Sequence, residues 1–256
     1  MAATAALKAR PQMQRNADRR SVRTRTIPEQ IADHVAIAII KGEFRDGEHL
    51  PEQKIAALFD VSHGPVREAI RALAKRGLVE FKPRRGAFAI AVTLDAVADI
   101  FNIRAVLLGL ASHCLAAQPA ELRPVAQLHE RLAHVRKLAA EADADPIEFG
   151  QALGRLGNVI FHACGNAHLK GLLHEEATGS LWRHLWRERP LDFLDNKRRR
   201  QAHADWAAIV EAIVAGDGAA ASAIMRKALF DSRDQALATL QTLRGQKAAP
   251  SRFIRD

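Results

Sequence analysis

One stretch near the N-terminus limits the fold more than any other: a helix pattern whose apolar seam borders a row of cations, followed at once by a hairpin pattern. At 100° per residue, Val66, Ala69, Ile70 and Leu73 cluster on one side of this helix, and Arg67, Arg71 and Lys75 form a second stripe beside them. The helix is predicted to open with Gly64 as its cap and Pro65 in its first position, to run to about Arg76 and to stop at Gly77. Behind it, Leu78–Phe81, the turn Lys82-Pro83-Arg84-Arg85-Gly86 and Ala87–Ile90 read as two strands and their connection. Ahead of it, Ile31, Val35, Ala38 and Ile39 recur at helical spacing between Pro28 and about Lys41. The turn Asp46-Gly47 follows, and Pro51 opens a second short helix through Phe59. Asp60 stands where the chain must turn sharply, and Asp tolerates the left-handed conformation better than most residues.

Three helices and a β-hairpin within residues 27–92 are the ingredients of a winged helix-turn-helix. Charge points the same way. Of the formal net charge of +9, residues 1–92 hold +7, with 17 Lys and Arg against 10 Asp and Glu, which leaves +2 for the rest. Basicity concentrated in one third of a chain implies a polyanion partner at that end. Residues 1–26 carry Arg15, Arg19, Arg20, Arg23 and Arg25 with almost no large apolar side chains, and read as a disordered basic arm. No run approaches the ~20 apolar residues of a membrane span, and no secretory signal pattern is present. Cys114 and Cys164 have neither metal nor redox spacing, which suits small buried residues in a reducing cytoplasm.

After Thr93 the pattern stays helical almost to the end, with breaks near Gln118-Pro119, Ala144-Asp145-Pro146, Gly165-Asn166, Arg189-Pro190 and Gly216-Asp217-Gly218. The expected architecture is therefore mainly α: the N-terminal unit, then a six- or seven-helix bundle over residues 93–242, then a tail over 243–256. Arg104 falls within the apolar sector formed by Val97, Ile100, Phe101, Leu107 and Leu108. A guanidinium there needs an acceptor, either an internal carboxylate or an anionic ligand in a cavity. Trp182 and Trp186, one turn apart around His184, read as bundle packing. No nucleophile elbow, HExxH, P-loop or paired carboxylates point to an enzyme.

The stretch LPEQKIAALFDVSHGPVREAIRALAKRGLVEFKPRRGAFAIAV, from Leu50 to Val92, resembles the winged helix-turn-helix of GntR-type transcription regulators. The shared pattern is an LxExxIAxxLxVS helix and turn, a PVREAL-like recognition helix, then GLV and a PxRGAxV wing. The resemblance implies double-stranded DNA as partner, with Arg67 reading it from the recognition helix. Gln53 contacts DNA from the preceding helix, and Arg84, Arg85 and Gly86 form the wing tip. Arg71 and Lys75 extend the cationic stripe. Where the family has Arg-Thr ahead of the PVRE-like run, this chain has His63-Gly64, so His63 keeps a donor without arginine's fork.

DIFNIRAVLLGLAS from Asp99, NVIFHACGNAHL from Asn158 and AIVEAIVAGDGAAASAIMRKAL from Ala208 resemble the FCD effector domain of the FadR branch of that family. The resemblance implies a homodimer, a palindromic operator and a ligand cavity within each bundle. Many such domains hold a divalent metal on an Asp or Asn and three His. Asn158 and His162 supply the first pair, but Trp206 and Ala228 occupy the other two positions. The expectation is a cytoplasmic repressor without a metal cofactor, whose small, anionic organic effector meets Arg104, Asn158, His162, His203 and Trp206. An effector-independent DNA binder with a ligand-free helical dimerisation domain is the other reading.

Overall fold

The computed structural model describes residues 26–178 and 190–245, which fall into two compact units divided between Thr93 and Leu94. The basic arm before Thr26, Trp182, His184, Trp186 and the tail beyond Gly245 lie outside the described residues.

In the first unit, α1 (Ile27–Ile40) begins with a capping box: the Glu29 amide donates to Thr26 Oγ1 (3.4 Å) while the Thr26 amide donates to Glu29 Oε2 (2.8 Å). α2 (Glu52–Phe59) follows Pro51 and ends at Asp60 in the left-handed region (φ 54°, ψ 50°). α3 is His63–Lys75, with Ser62 in the N-cap position but no capping bond from its side chain, so the recognition helix starts two residues before the expected Pro65. The reason is that the first helical amides have no intrahelical acceptor to lose, so a proline in the first turn does not set the start. Ile31, Val35, Ile39, Leu50, Ile55, Val66, Ile70, Leu73 and Leu78 form the core. Arg76 ties α3 to Asp33 of α1 at 3.1 Å.

β1 (Val79–Lys82) and β2 (Gly86–Ala89) pair antiparallel, Val79 opposite Ala89 and Lys82 opposite Gly86. The sequence pattern did not show the segment that extends this hairpin. Leu50 N donates to Ala87 O (2.8 Å), Ala89 N to Glu48 O (2.8 Å) and Gly47 N to Ala89 O (2.9 Å), so residues 47–50 run along the free edge of β2. At the turn, Arg85 N donates to Lys82 O (3.0 Å), and Pro83 followed by Arg84 at φ 60° marks a type II geometry.

The second unit is helical throughout its described residues: α4 (Leu94–Ala116), a 3-10 turn (Ala120–Leu122), α5 (Val125–Ala140), α6 (Pro146–Ala163), α7 (Ala167–Thr178), α8 (Asn196–Ala215) and α9 (Gly218–Leu243). The caps at Asp145 and Asp217 fall at sequence breaks, whereas the one at Asp195 lies beyond the Arg189-Pro190 break. Asp145, Asp195 and Asp217 each accept an amide of the first turn of the helix that follows, and Gly216 ends α8 at φ 80°. α4 packs most extensively on α9, where Gly109 lets the two backbones approach. Arg123 donates to the last carbonyls of α8, Ile213 O (3.0 Å) and Val214 O (2.7 Å). Burial, with a smaller contribution from the Cys164 thiol, pushes the Cys114 thiol's pKa up.

Candidate functional site

The cationic surface of the first unit follows from α3. With Val66, Ala69, Ile70 and Leu73 turned into the core, the helix presents Arg67, Arg71 and Lys75 to solvent, and Gln53, His63, Gly64, Arg84, Arg85 and Gly86 are exposed too. Arg67 has a partner the sequence did not suggest. Its Nε donates to Glu52 Oε2 on α2 at 3.0 Å, whereas neither Glu68 nor Glu80 is its partner, Glu80 being paired with Lys82 at 2.7 Å. An Nε–carboxylate contact fixes the guanidinium plane and leaves its terminal nitrogens to a second acceptor. Lys82 and Arg85 lie over the Phe88 ring at 4.7 and 5.7 Å, which steadies the cations beside the turn.

The five residues expected around an effector are not gathered at one place. Asn158 and His162 share an open groove of about 370 Å3 between α5 and α6, lined also by Gln127, Arg131, Arg155 and Val159. Arg131 and Arg155 are lining residues that the sequence does not single out; only their position on facing helices marks them, and spacing within one helix cannot show that. Among the described residues no carboxylate lines this groove, and Arg155 Nη2 sits 3.5 Å from His134 Nε2. Trp206 is buried elsewhere, its ring against Gly157. His203 is half-buried, and burial together with Arg136 lowers its pKa, so it favours the neutral form. Arg104 is only half-buried. The fully buried guanidinium in the α4–α9 seam is instead Arg233, which donates to Asn102 Oδ1 (2.7 Å) and Asp234 Oδ1 (2.9 Å).

Among the described residues no group of three or more His, Cys, Asp or Glu side chains is placed to hold a metal. Trp206 and Ala228 offer no donor where the family's metal would need one, so the residues present do not fit that ion. Nor, among the described residues, is any helix long and apolar enough to cross a membrane.

A winged helix with its cations outward, joined to a helical bundle, defines a DNA-binding regulator. Comparison with known proteins agrees. Residues 27–89 match the model of bacterial regulatory proteins of the gntR family, and residues 99–230 match the FCD domain. An HTH-type transcriptional regulator in an unstable DNA locus of Streptomyces ambofaciens is 32% identical over 202 residues, 74% of this chain and 77% of that protein. The Bacillus subtilis regulator YdhC is 33% identical over 137 residues, 53% of this chain and 59% of its own length. The gluconate operon repressor of B. subtilis is 36% identical over 78 residues, 30% of this chain and 32% of that one. A solved structure titled for Lar of Listeria monocytogenes shares the fold, with a TM-score of 0.63 at 18% identity over 84% of this chain and 98% of that one. The chain belongs to the GntR family of DNA-binding transcriptional regulators and carries an FCD domain.

Proposed function

We propose that the chain is a repressor that grips a palindromic operator as a homodimer and lets go when a small organic anion occupies its helical unit. The observation that carries the DNA half is Arg67, exposed on α3 with its plane fixed by Glu52. Gln53, His63, Gly64, Arg71, Lys75, Arg84, Arg85 and Gly86 surround it as further contacts. The gluconate repressor's similarity over the DNA-binding part supports repression as the output.

The effector reading rests on the α5–α6 groove. Its volume suits a metabolite, Asn158 and His162 offer hydrogen bonds, and Arg131 and Arg155 offer charge that no lining carboxylate cancels. This moves anion recognition from Arg104, His203 and Trp206 to the two groove arginines. Dimerisation is supported by α4, where Ile103, Val106 and Leu110 are 52%, 59% and 45% exposed on one stripe, between Asp99 and His113. That order is self-complementary: an antiparallel copy related by a two-fold axis near Val106 sets Ile103 against Leu110 and Asp99 near His113.

Selection of bound fragments from genomic DNA, followed by titration of the recovered duplex, tests the reading. Arg67→Ala is expected to weaken operator binding at least 100-fold, on the order of 3 kcal/mol for a lost charge-assisted contact. Affinity near that of the wild type would remove the recognition-helix assignment.

A further inference from the structure

Beside the recognition helix lies a groove of about 280 Å3, lined by Glu52, Arg67, Ile70, Arg71 and Phe81. Phe81 is unusual there. Strand alternation puts it on the same face of the hairpin as Val79 and, across the pair, Ala87 and Ala89, all three buried. Phe81 is 53% exposed, at the point where that inner face runs out past Ile70 and meets the two arginines of α3. An aromatic ring open to water beside two guanidiniums, with one carboxylate already engaged by Arg67 Nε, makes a seat that is apolar on one side and cationic on the other.

We propose that this groove seats one deoxyribose-phosphate unit of the operator backbone. Arg71 and the terminal nitrogens of Arg67 take the phosphate oxygens, and the Phe81 ring packs against the C–H face of the adjoining sugar. A nucleic-acid backbone presents that pairing of a compact anion and an apolar sugar face at every step, and the cationic wall of the groove is the stripe that faces DNA. Glu52 stays in place through binding: it holds Arg67 by Nε and leaves the other nitrogens to the phosphate. Phe81 thereby adds affinity that does not depend on counterion release, unlike the arginines around it. The inference rests on the reading of α3 as the DNA-contacting helix.

The two kinds of contact separate by salt. On the duplex recovered by selection with the full chain, dissociation constants are measured from about 50 to 300 mM salt for the wild type, Phe81→Ala, Phe81→Leu and Arg71→Ala. Phe81→Ala is expected to bind about 5- to 20-fold more weakly at every salt concentration with an unchanged salt slope, since burying apolar surface displaces no ions. Phe81→Leu, which keeps an apolar side chain should Ala perturb the hairpin, is expected within about threefold of the wild type, and Arg71→Ala lowers the slope by about 0.9. A Phe81→Ala protein that binds within twofold of wild type, or one whose loss comes with a changed slope, overturns the seat and leaves the DNA-reading helix standing. Failure of the selection to recover any duplex overturns both.

Discussion

Two penalties meet at Gly86. Its φ of +94° is one that side-chain-bearing residues rarely adopt, and a Cβ there would lie 3.0 Å from His49 Nε2. His49 cannot easily retreat, because its ring stands edge-on to Phe88 at 5.3 Å and its backbone pairs with the same residue. Gly86→Ala is therefore expected to destabilise the first unit by about 2 kcal/mol, with backbone strain supplying roughly half. In a His49→Ala background the same change keeps the strain and loses the collision, so its cost falls. Urea titration of the four proteins of this cycle measures the difference, and equal costs in both backgrounds would remove His49 from the account. The sequence marked Gly86 for its closeness to DNA, but the intramolecular reason was hidden because His49 is 37 positions away. Arg67 repeats the lesson. Glu68 and Glu80 are nearer in sequence, yet Glu80 already holds Lys82, and Glu52 of α2 is the partner of Arg67.

At the level of elements, the signals that could be read were local ones. Asp145-Pro146, Gly216-Asp217 and Asp60 announced helix ends because capping and left-handed turns are settled by a few adjacent residues. The strand pairing of residues 47–50 escapes because four residues carry too short a period, and its hydrogen bonds come from β2 about 40 positions later. Arg104 falls within the apolar sector of α4 on a helical wheel, and a wheel knows only its own helix. Which cation fills the α4 seam is decided by α9, and α9 supplies Arg233. Two glycines show how neighbours set the sign of one substitution. A Cβ on Gly109 would stand 2.9 Å from Arg226 Cγ and 3.3 Å from Ser222 O, whereas one on Gly154 of α6 meets nothing within 4 Å. Gly154→Ala should thus gain most of alanine's helix preference, up to about 1 kcal/mol. Gly109→Ala should lose about 1–2 kcal/mol despite the same preference, because α4 and α9 must separate. Denaturation midpoints moving in the same direction for both would contradict the close packing of α4 on α9.

For the molecule as a whole, the sequence could divide DNA-facing charge from helical bundle because composition changes at about Thr93, but it could not show how distant polar groups share one interior. Residues 190–195 illustrate this. Leu191 and Phe193 are buried, the Phe193 ring meets Phe149 at 5.0 Å, and Arg199 donates to Phe193 O (3.1 Å) and to Ala142 O (2.8 Å), so the segment is sewn into the bundle. Between those two side chains Asp192 is drawn inside with them, 1% exposed. Burial raises its pKa from 3.8 to about 7, against the opposing pull of Ser232 and Arg198, whose guanidinium is also 3.6 Å from Asp205. The unfolded chain then gives up this proton near pH 4 while the folded chain keeps it to about pH 7, so the folded state binds more protons across that interval. Its contribution to stability is full below pH 4, declines as pH rises to 7 and stays low above it. The decline is on the order of 4 kcal/mol, from about three units at 1.36 kcal/mol each. Asp192→Asn keeps the shape and removes the titration. The free-energy difference between variant and wild type should therefore turn in the variant's favour between pH 4 and 7, and then level off. Unfolding both proteins in urea at pH 4.5, 6, 7 and 8 measures it, and a difference constant with pH would mean that Asp192 is charged in the folded bundle.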